Sequence, residues 1–403
     1  MKQLISKYKG IFFLTIISLI IGLIVGVIDT IFGKVLLEIT SFRDSNPVKL
    51  IVFLPLIGVG IIYIYKKYGK DSIKGMGLVF DTAKGSEEKI PKRLIPLVII
   101  TTWLTHLFGG SAGREGVAVQ IGATVANYFE RFINIKDAKK ILIITGMAAG
   151  FAGLFQTPIA AVFFALEVLT VGIIEYKALF FSLIASFVSN FVSKSLGLEK
   201  FSVTLDTNID FSHGMIIKII ICGIIFGVVG GVFAYLLNKA KKYFSEKLPN
   251  PIIRIFSMGI ILSLLLIIFH FGRYSGLGTN LISASFTNNK IYYYDWIIKL
   301  LLTIFTLSIG FQGGEVTPLF SIGASLGIII AGLFNMPLEF VAALGYIGVF
   351  AGATNTLLAP VFIGGEVFGF EYMPYYFIVC AIAYLFNSNN TIYTKQTSIF
   401  KWY

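Results

Sequence analysis

The chain has 403 residues, 56% of them hydrophobic and only 13% charged. A soluble protein carries roughly a quarter charged residues, so a soluble globular fold is excluded. The net charge of +12 would suit a nucleic-acid surface in a polar chain; in one this apolar it reads as the basic excess of cytoplasmic loops, and no nucleic-acid partner is expected.

Stretches 11–28, 219–238, 316–338 and 372–394 each lack Asp, Glu, Lys and Arg, and each meets the ~18-residue length of a spanning helix. Alternating strands of a barrel are not visible, so an all-α polytopic membrane protein is expected. Lys2, Lys7 and Lys9 precede the first span, Lys66 to Arg93 form a second basic segment, and Lys239 to Arg254 form a third. All three are placed in the cytoplasm, N-terminus included. The first apolar run is long and no small-residue cleavage site follows, so it reads as a retained helix.

In chain order, helices are expected over 11–38 and 50–65, with Arg43, Asp44 and Lys49 outside between them. Lys74 to Phe80, KGMGLVF, is an apolar island too short to span; it reads as a re-entrant helix start or as a surface turn. Residues 94–108 are apolar and lead to GGSAGREGV, Gly109 to Val117, with a short helix expected over 117–129. Beyond the charged linker 130–140, the uncharged block 141–166 ends at Glu167 and is broken by Pro158. A second uncharged block, 340–365, ends at Glu366 and is broken by Pro360.

The two blocks are offset by 199 residues, and at that offset Gly146 meets Gly345, Phe151-Ala152-Gly153 meets Phe350-Ala351-Gly352, and Glu167-Val168 meets Glu366-Val367. Ile121-Gly122-Ala123 meets Ile322-Gly323-Ala324 at an offset of 201. Gly109 to Val117 therefore has a partner in GFQGGEVTP, Gly310 to Pro318. Matched helix breaks in two halves mark a transporter built from repeats. The loop 194–213 holds Asp206 and Asp210 and lacks the basic excess. Placing it outside makes the halves antiparallel: residues 1–213 form a first transmembrane repeat, and 214–403 a second, inverted one with a terminal ion-site helix.

GGSAGREGV carries the chemistry. Its Arg-Glu pair lies in an apolar setting, where charge faces a protein interior or a watery path. Glycines let the backbone turn with N–H groups pointing at a ligand, and the following helix N-terminus is an anion site. Glu115 puts a carboxylate where that anion belongs. Arg114 braces the loop or attracts anions, and Glu167 and Glu366 read as structural helix-end residues. Cys222 and Cys380 read as core residues, and His106, His213 and His270 do not cluster, so neither a metal site nor a cofactor is expected. GGSAG also fits the G-x-S-x-G elbow of serine hydrolases, with Ser111 as nucleophile and His106 nearby, but between helices it lacks the elbow's strand–turn–helix setting. The chain is not expected to be an enzyme.

These residues resemble the CLC family of chloride channels and anion/proton antiporters. GREGV, Gly113 to Val117, resembles the family's GREGP. GGEVTP, Gly313 to Pro318, resembles GGxFxP, with Val316 for Phe and an acidic residue entering at Glu315. GLGTNLI, Gly276 to Ile282, resembles the Gly-rich stretch ending in Asn-Leu-Ile. NTIYTKQ, Asn390 to Gln396, resembles the last helix with its central tyrosine, here Tyr393.

The resemblance implies a CLC-like inverted repeat of tilted and broken helices, with Glu115 as the protonatable gate. It also implies anion contacts at Gly75, Met76, Gly113, Gly116, Val117, Val316, Thr317 and Tyr393. The serine of the family's GSGIP motif is replaced by Met76, and the inner glutamate expected after Glu167 is Val168. Both departures resemble the bacterial fluoride/proton antiporter branch, with Glu315 a candidate second acid. Implied too are fluoride and protons as cargo, a homodimer with one pore per subunit, and a bacterial plasma membrane location. A chloride or nitrate antiporter and a passive anion channel are the rival readings.

Overall fold

A computed structural model describes residues 2–86, 88–133, 135, 137–205, 212–287 and 289–400, with backbone alone for 2–7. Asp206, Asp210, the proposed repeat boundary near Phe211, and the side chains of Lys2 and Lys7 lie outside the described residues.

The first half runs α1 (Lys2–Ser45), α2 (Pro47–Ile51), α3 (Leu54–Ile64), α4 (Met76–Ala83), α5 (Leu94–Leu107), α6 (Glu115–Phe129), α7 (Ala138–Phe155), α8 (Pro158–Glu167) and α9 (Tyr176–Ser195). The second runs α10 (His213–Lys247), α11 (Pro251–Ile268), α12 (Thr279–Phe286), α13 (Asp295–Ile309), α14 (Val316–Phe334), α15 (Leu338–Thr354), α16 (Leu358–Phe368) and α17 (Met373–Leu385). Six helices among the described residues are long and apolar enough to cross a membrane. The only departure from helix, turn and coil among the described residues is a two-residue parallel pair, β1 (Thr170–Val171) with β2 (Thr397–Ser398), plus one isolated bridge.

Both uncharged blocks break just before the expected prolines act. α7 ends at Gln156 and α15 at Asn355, each in the left-handed region at φ +58° and +54°. Pro158 then opens α8, where its missing N–H is harmless. Glu167, the last residue of α8, accepts hydrogen bonds from the N–H groups of Leu357, Leu358 and Ala359 at 3.1, 3.1 and 2.8 Å. Glu366, near the end of α16, accepts from Ile159 and Ala160 at 3.2 and 2.9 Å. Each helix end thus caps the start of the other, so α8 and α16 run antiparallel. Between the caps Phe163 stacks on Phe362, its mate at the offset of 199, with centroids 4.5 Å apart and planes 4° apart.

A helix start has four N–H groups without internal partners. Replacing Glu167 with Ala orphans three of them in a half-buried setting. The expected loss is about 2–4 kcal/mol, read as a lower unfolding temperature of the purified protein in detergent, with Glu167→Gln intermediate.

The structure corrects several expectations. α1 continues to Ser45 instead of ending at residue 38, and Arg43 in its last turn is buried, its guanidinium donating to the His106 carbonyl at 3.0 Å and pairing with Asp44 at 2.7 Å. The His106 carbonyl lies in the last turn of α5, where it lacks a regular helical partner and accepts the Gly109 N–H at 3.2 Å, leaving a lone pair for the guanidinium. The Lys74–Phe80 island is the start of helix α4. The expected helix 50–65 is interrupted at Val52 and Phe53. The 117–129 helix begins two residues earlier, so Glu115 sits in its first turn.

The last apolar run ends as helix at Leu385, and Asn390 to Gln396 is not helical. Asn387 explains the stop: its amide donates to the Gly352 carbonyl at 3.0 Å and its oxygen accepts the Asn389 N–H at 2.9 Å. Such side chains compete with the helix for backbone groups. Gln396 then pins the tail by donating to the carbonyls of Val168 and Thr354 at 2.9 and 3.0 Å. Tyr393 is held by tertiary contacts, not by a terminal helix.

Candidate anion site

The Gly-rich loops before α6 and α14 meet. The Gly113 N–H donates to the Gly314 carbonyl at 2.5 Å, and the Gly314 N–H returns to the Gly113 carbonyl at 2.8 Å. A Cβ on Gly113 would come within 2.9 Å of Pro318 Cδ and 3.1 Å of the Gly314 carbonyl oxygen, so only glycine permits this approach. The bridge sets two helix N-termini side by side, each worth about half a positive charge.

Glu115 is 1% exposed. Its carboxylate accepts the Thr317 N–H at 3.1 Å, the Thr317 hydroxyl at 2.6–2.7 Å and the Arg114 N–H at 3.3 Å. The Arg114 guanidinium stands further off, its Nε 3.8 Å from the carboxylate. The carboxylate of one half therefore occupies the N-terminus of the other half's helix, where an anion would lie. Val117 and Val316, one turn into α6 and at the start of α14, are each 1% exposed and close the site from the sides.

A cavity of about 670 Å³ leads toward this carboxylate. Its lining includes Gly75, Met76, Gly116, Glu315 and Tyr393, but not Glu115 or Thr317. Gly75, at φ +51°, opens α4 and presents half-buried Met76 to the cavity. The Tyr393 ring stacks on Phe80 with centroids 5.3 Å apart, and its buried hydroxyl has no hydrogen-bond partner among the described residues. Glu315, at the N-cap of α14, pairs with Lys241 at 3.4 Å. The residues assigned to the gate and the anion contacts thus fall at the paired loops, at the helix starts that follow them or along the cavity.

Ser111 and His106 do not form a dyad. The Ser111 hydroxyl meets Thr303 at 2.8 Å and Lys299 at 2.9 Å, while His106 Nε2 faces the Gly113 carbonyl at 3.4 Å. Lys299 was missed in the sequence; Lys241 reads there only as part of a basic cluster, and Gly276–Gly278 only as a motif without a role at this loop. Lys299 had a signal: it is the one charge within the apolar run 296–314.

The family model for voltage gated chloride channels matches residues 57–388. A chloride/fluoride channel protein of Pseudomonas syringae pv. tomato is 33% identical over 384 residues, covering 94% of this chain and 84% of its own length. The crystal structure of a CLC-type fluoride/proton antiporter is similar at TM-score 0.95 and 53% identity, over 97% of this chain and 99% of that one. A slow cyanobacterial Cl−/H+ antiporter shares the fold at TM-score 0.83 and 19% identity, over 94% and 96% of the two chains. With its apolar spans, its paired Gly-rich loops and a family match over most of its length, this multi-pass membrane protein belongs to the CLC family of voltage gated chloride channels.

Proposed function

We propose that the chain is a fluoride/proton antiporter that expels fluoride in exchange for protons, a transporter and not an enzyme. The observation that carries this function is the Glu115 carboxylate seated on the Thr317 N–H and hydroxyl beyond the inner end of the cavity. Ionised, Glu115 occupies the socket as an internal anion. Protonated, it is neutral, loses its hold on the two helix N-termini, and yields the place to fluoride. One carboxyl group alternating between these states exchanges anion for proton. Similarity to a CLC-type fluoride/proton antiporter and to a chloride/fluoride channel protein supports the choice of cargo.

In this function the Thr317 and Tyr393 hydroxyls and the N–H groups of Gly116 and Val316 hold the ion, while Gly75, Gly113 and Val117, whose own N–H groups donate to the Ser72, Gly314 and Arg114 carbonyls, shape the site around it. Glu315 serves as the second acid. Lys74, Lys241 and Lys395 on the cavity lining favour a cytoplasmic mouth and a cytoplasmic N-terminus. The antiparallel caps of α8 and α16 support two inverted repeats, 1–213 and 214–403. A bacterial plasma membrane location and a homodimer with one pore per subunit complete the assignment. Half-exposed Phe163 and Phe362 on α8 and α16 offer an apolar face for the second subunit.

Reconstituted liposomes test the function. Fluoride leaving down its gradient is expected to pull protons in against a pH gradient. Fluoride efflux without proton entry would identify a passive channel, and equal pumping by chloride would identify a chloride antiporter.

Met76 gives a sharper test of selectivity. A thioether offers a small, strongly hydrated anion no donor, whereas a serine hydroxyl does. Met76→Ser is expected to change the fluoride-over-chloride turnover ratio about tenfold, the worth of one hydrogen bond to an ion. Unchanged selectivity in the same liposome assay would remove Met76 from the site.

A further inference from the structure

Lys299 lies inside α13 with no exposed surface. Its Nζ is 2.9 Å from Ser111 Oγ, 3.1 Å from the Tyr274 carbonyl and 2.7 Å from the Gly276 carbonyl. No carboxylate among the described residues forms an ion pair with it.

The hydrogen bonds around Nζ match an ammonium. The Thr303 hydroxyl donates its single proton to the Lys299 carbonyl at 2.8 Å. Thr303 can then only accept from Ser111, whose hydroxyl lies 2.8 Å away. Ser111 has thereby given up its own proton, so toward Lys299 it is an acceptor. The two carbonyls accept by nature. Three acceptors around Nζ require three N–H groups, which an ammonium has and a neutral amine lacks.

That charge stands directly behind the paired loops. Ser111 precedes Glu115 by four residues, at most about 14 Å of extended chain. Gly276, whose carbonyl Lys299 holds, accepts from the Ala112 N–H at 3.2 Å and donates to the Gly110 carbonyl at 3.0 Å. Of the other buried cations nearby, Arg43 pairs with Asp44 at 2.7 Å, and Arg114 stands 3.8 Å from Glu115, the carboxylate that gives way to the anion. Lys299 has no carboxylate partner among the described residues in either state, so its positive charge is constant. A buried, unpaired charge at membrane depth is costly, and three hydrogen bonds to neutral oxygens do not cancel its field.

We propose that Lys299 is a positioning residue that both clamps the Gly109–Gly113 loop and supplies the fixed positive field drawing a small anion to the Glu115 position, an inference that rests on reading this loop as an anion site. A unit charge at about 12 Å in a protein interior changes anion affinity about tenfold.

Titration calorimetry of the purified full-length protein with sodium fluoride tests it. Lys299→Gln keeps a donor but loses the charge and is expected to weaken binding about tenfold. Lys299→Arg keeps the charge and is expected to stay within about twofold of the parent. Ser111→Asp sets a carboxylate against the intact ammonium and is expected to weaken binding as Lys299→Gln does; it decides the matter where Lys299→Gln fails to fold. Parent-like affinity in either charge-neutralising variant overturns the field role and leaves Lys299 a brace. If the parent protein binds chloride and not fluoride, the proposed function fails, and the same series read with chloride still decides the role of Lys299. A parent protein that binds neither anion overturns both.

Discussion

Glu115→Gln is expected to abolish proton-coupled fluoride movement. The amide has nearly the shape of the protonated acid. Its oxygen can still accept from the Thr317 hydroxyl and N–H, which now lie 2.6–3.1 Å from the carboxylate. It can neither ionise nor carry a proton, so one of the two states needed for exchange is gone. Removing a positioned proton-transfer group elsewhere costs about 10²- to 10⁴-fold, and no second carboxylate among the described residues hydrogen-bonds Thr317 to take over. Proton uptake into fluoride-loaded liposomes, followed with an internal pH dye, should therefore fall at least about 100-fold. Full pumping by the variant would refute the gate assignment.

Gly122→Ala is expected to remove most folded protein. A Cβ at Gly122 would fall on the carbonyl of Gly146 in α7, overlapping backbone that has no rotamer to escape into. Gly146 meets Gly122 in the same way, and Gly323 and Gly345 repeat the arrangement between α14 and α15. Forcing the helices apart costs about 3 kcal/mol or more, a large part of the margin of a marginally stable fold. It would also move the start of α6, and Glu115 with it. Thermal unfolding and the monodisperse fraction on size exclusion read the effect. Gly332→Ala, where an added Cβ meets nothing within 4 Å, is the control and should be neutral or slightly stabilising because alanine is the better helix former.

The same glycines explain what could be read from the sequence. Helices that touch backbone to backbone tolerate no side chain, so Gly122, Gly146, Gly323 and Gly345 recur at matched offsets and expose the repeat. Glu115 was legible because a carboxylate at an apolar helix start has few structural uses. Thr317 entered only as an anion contact implied by the resemblance, and its bond to Glu115 spans 202 residues. The tail was misread because an uncharged run ending in Asn387, Ser388, Asn389 and Asn390 has the composition of a span. What ends the helix is an Asn387 amide reaching the Gly352 carbonyl, a contact between distant positions. The burial of Arg43 could not be read for a similar reason, since it depends on a carbonyl 63 residues away. The pairing of Lys241 with Glu315 spans 74 residues, and no local pattern announces it.

The central claim is that the Glu115 carboxylate stands in the anion's own place. The most direct measurement is a crystal or cryo-electron microscopy structure of the Glu115→Gln variant in saturating sodium fluoride. The account expects the residue-115 side chain to have left Thr317, with an anion within hydrogen-bond distance of the Thr317 N–H and hydroxyl. An anion bound elsewhere, with the side chain still seated on Thr317, would contradict it.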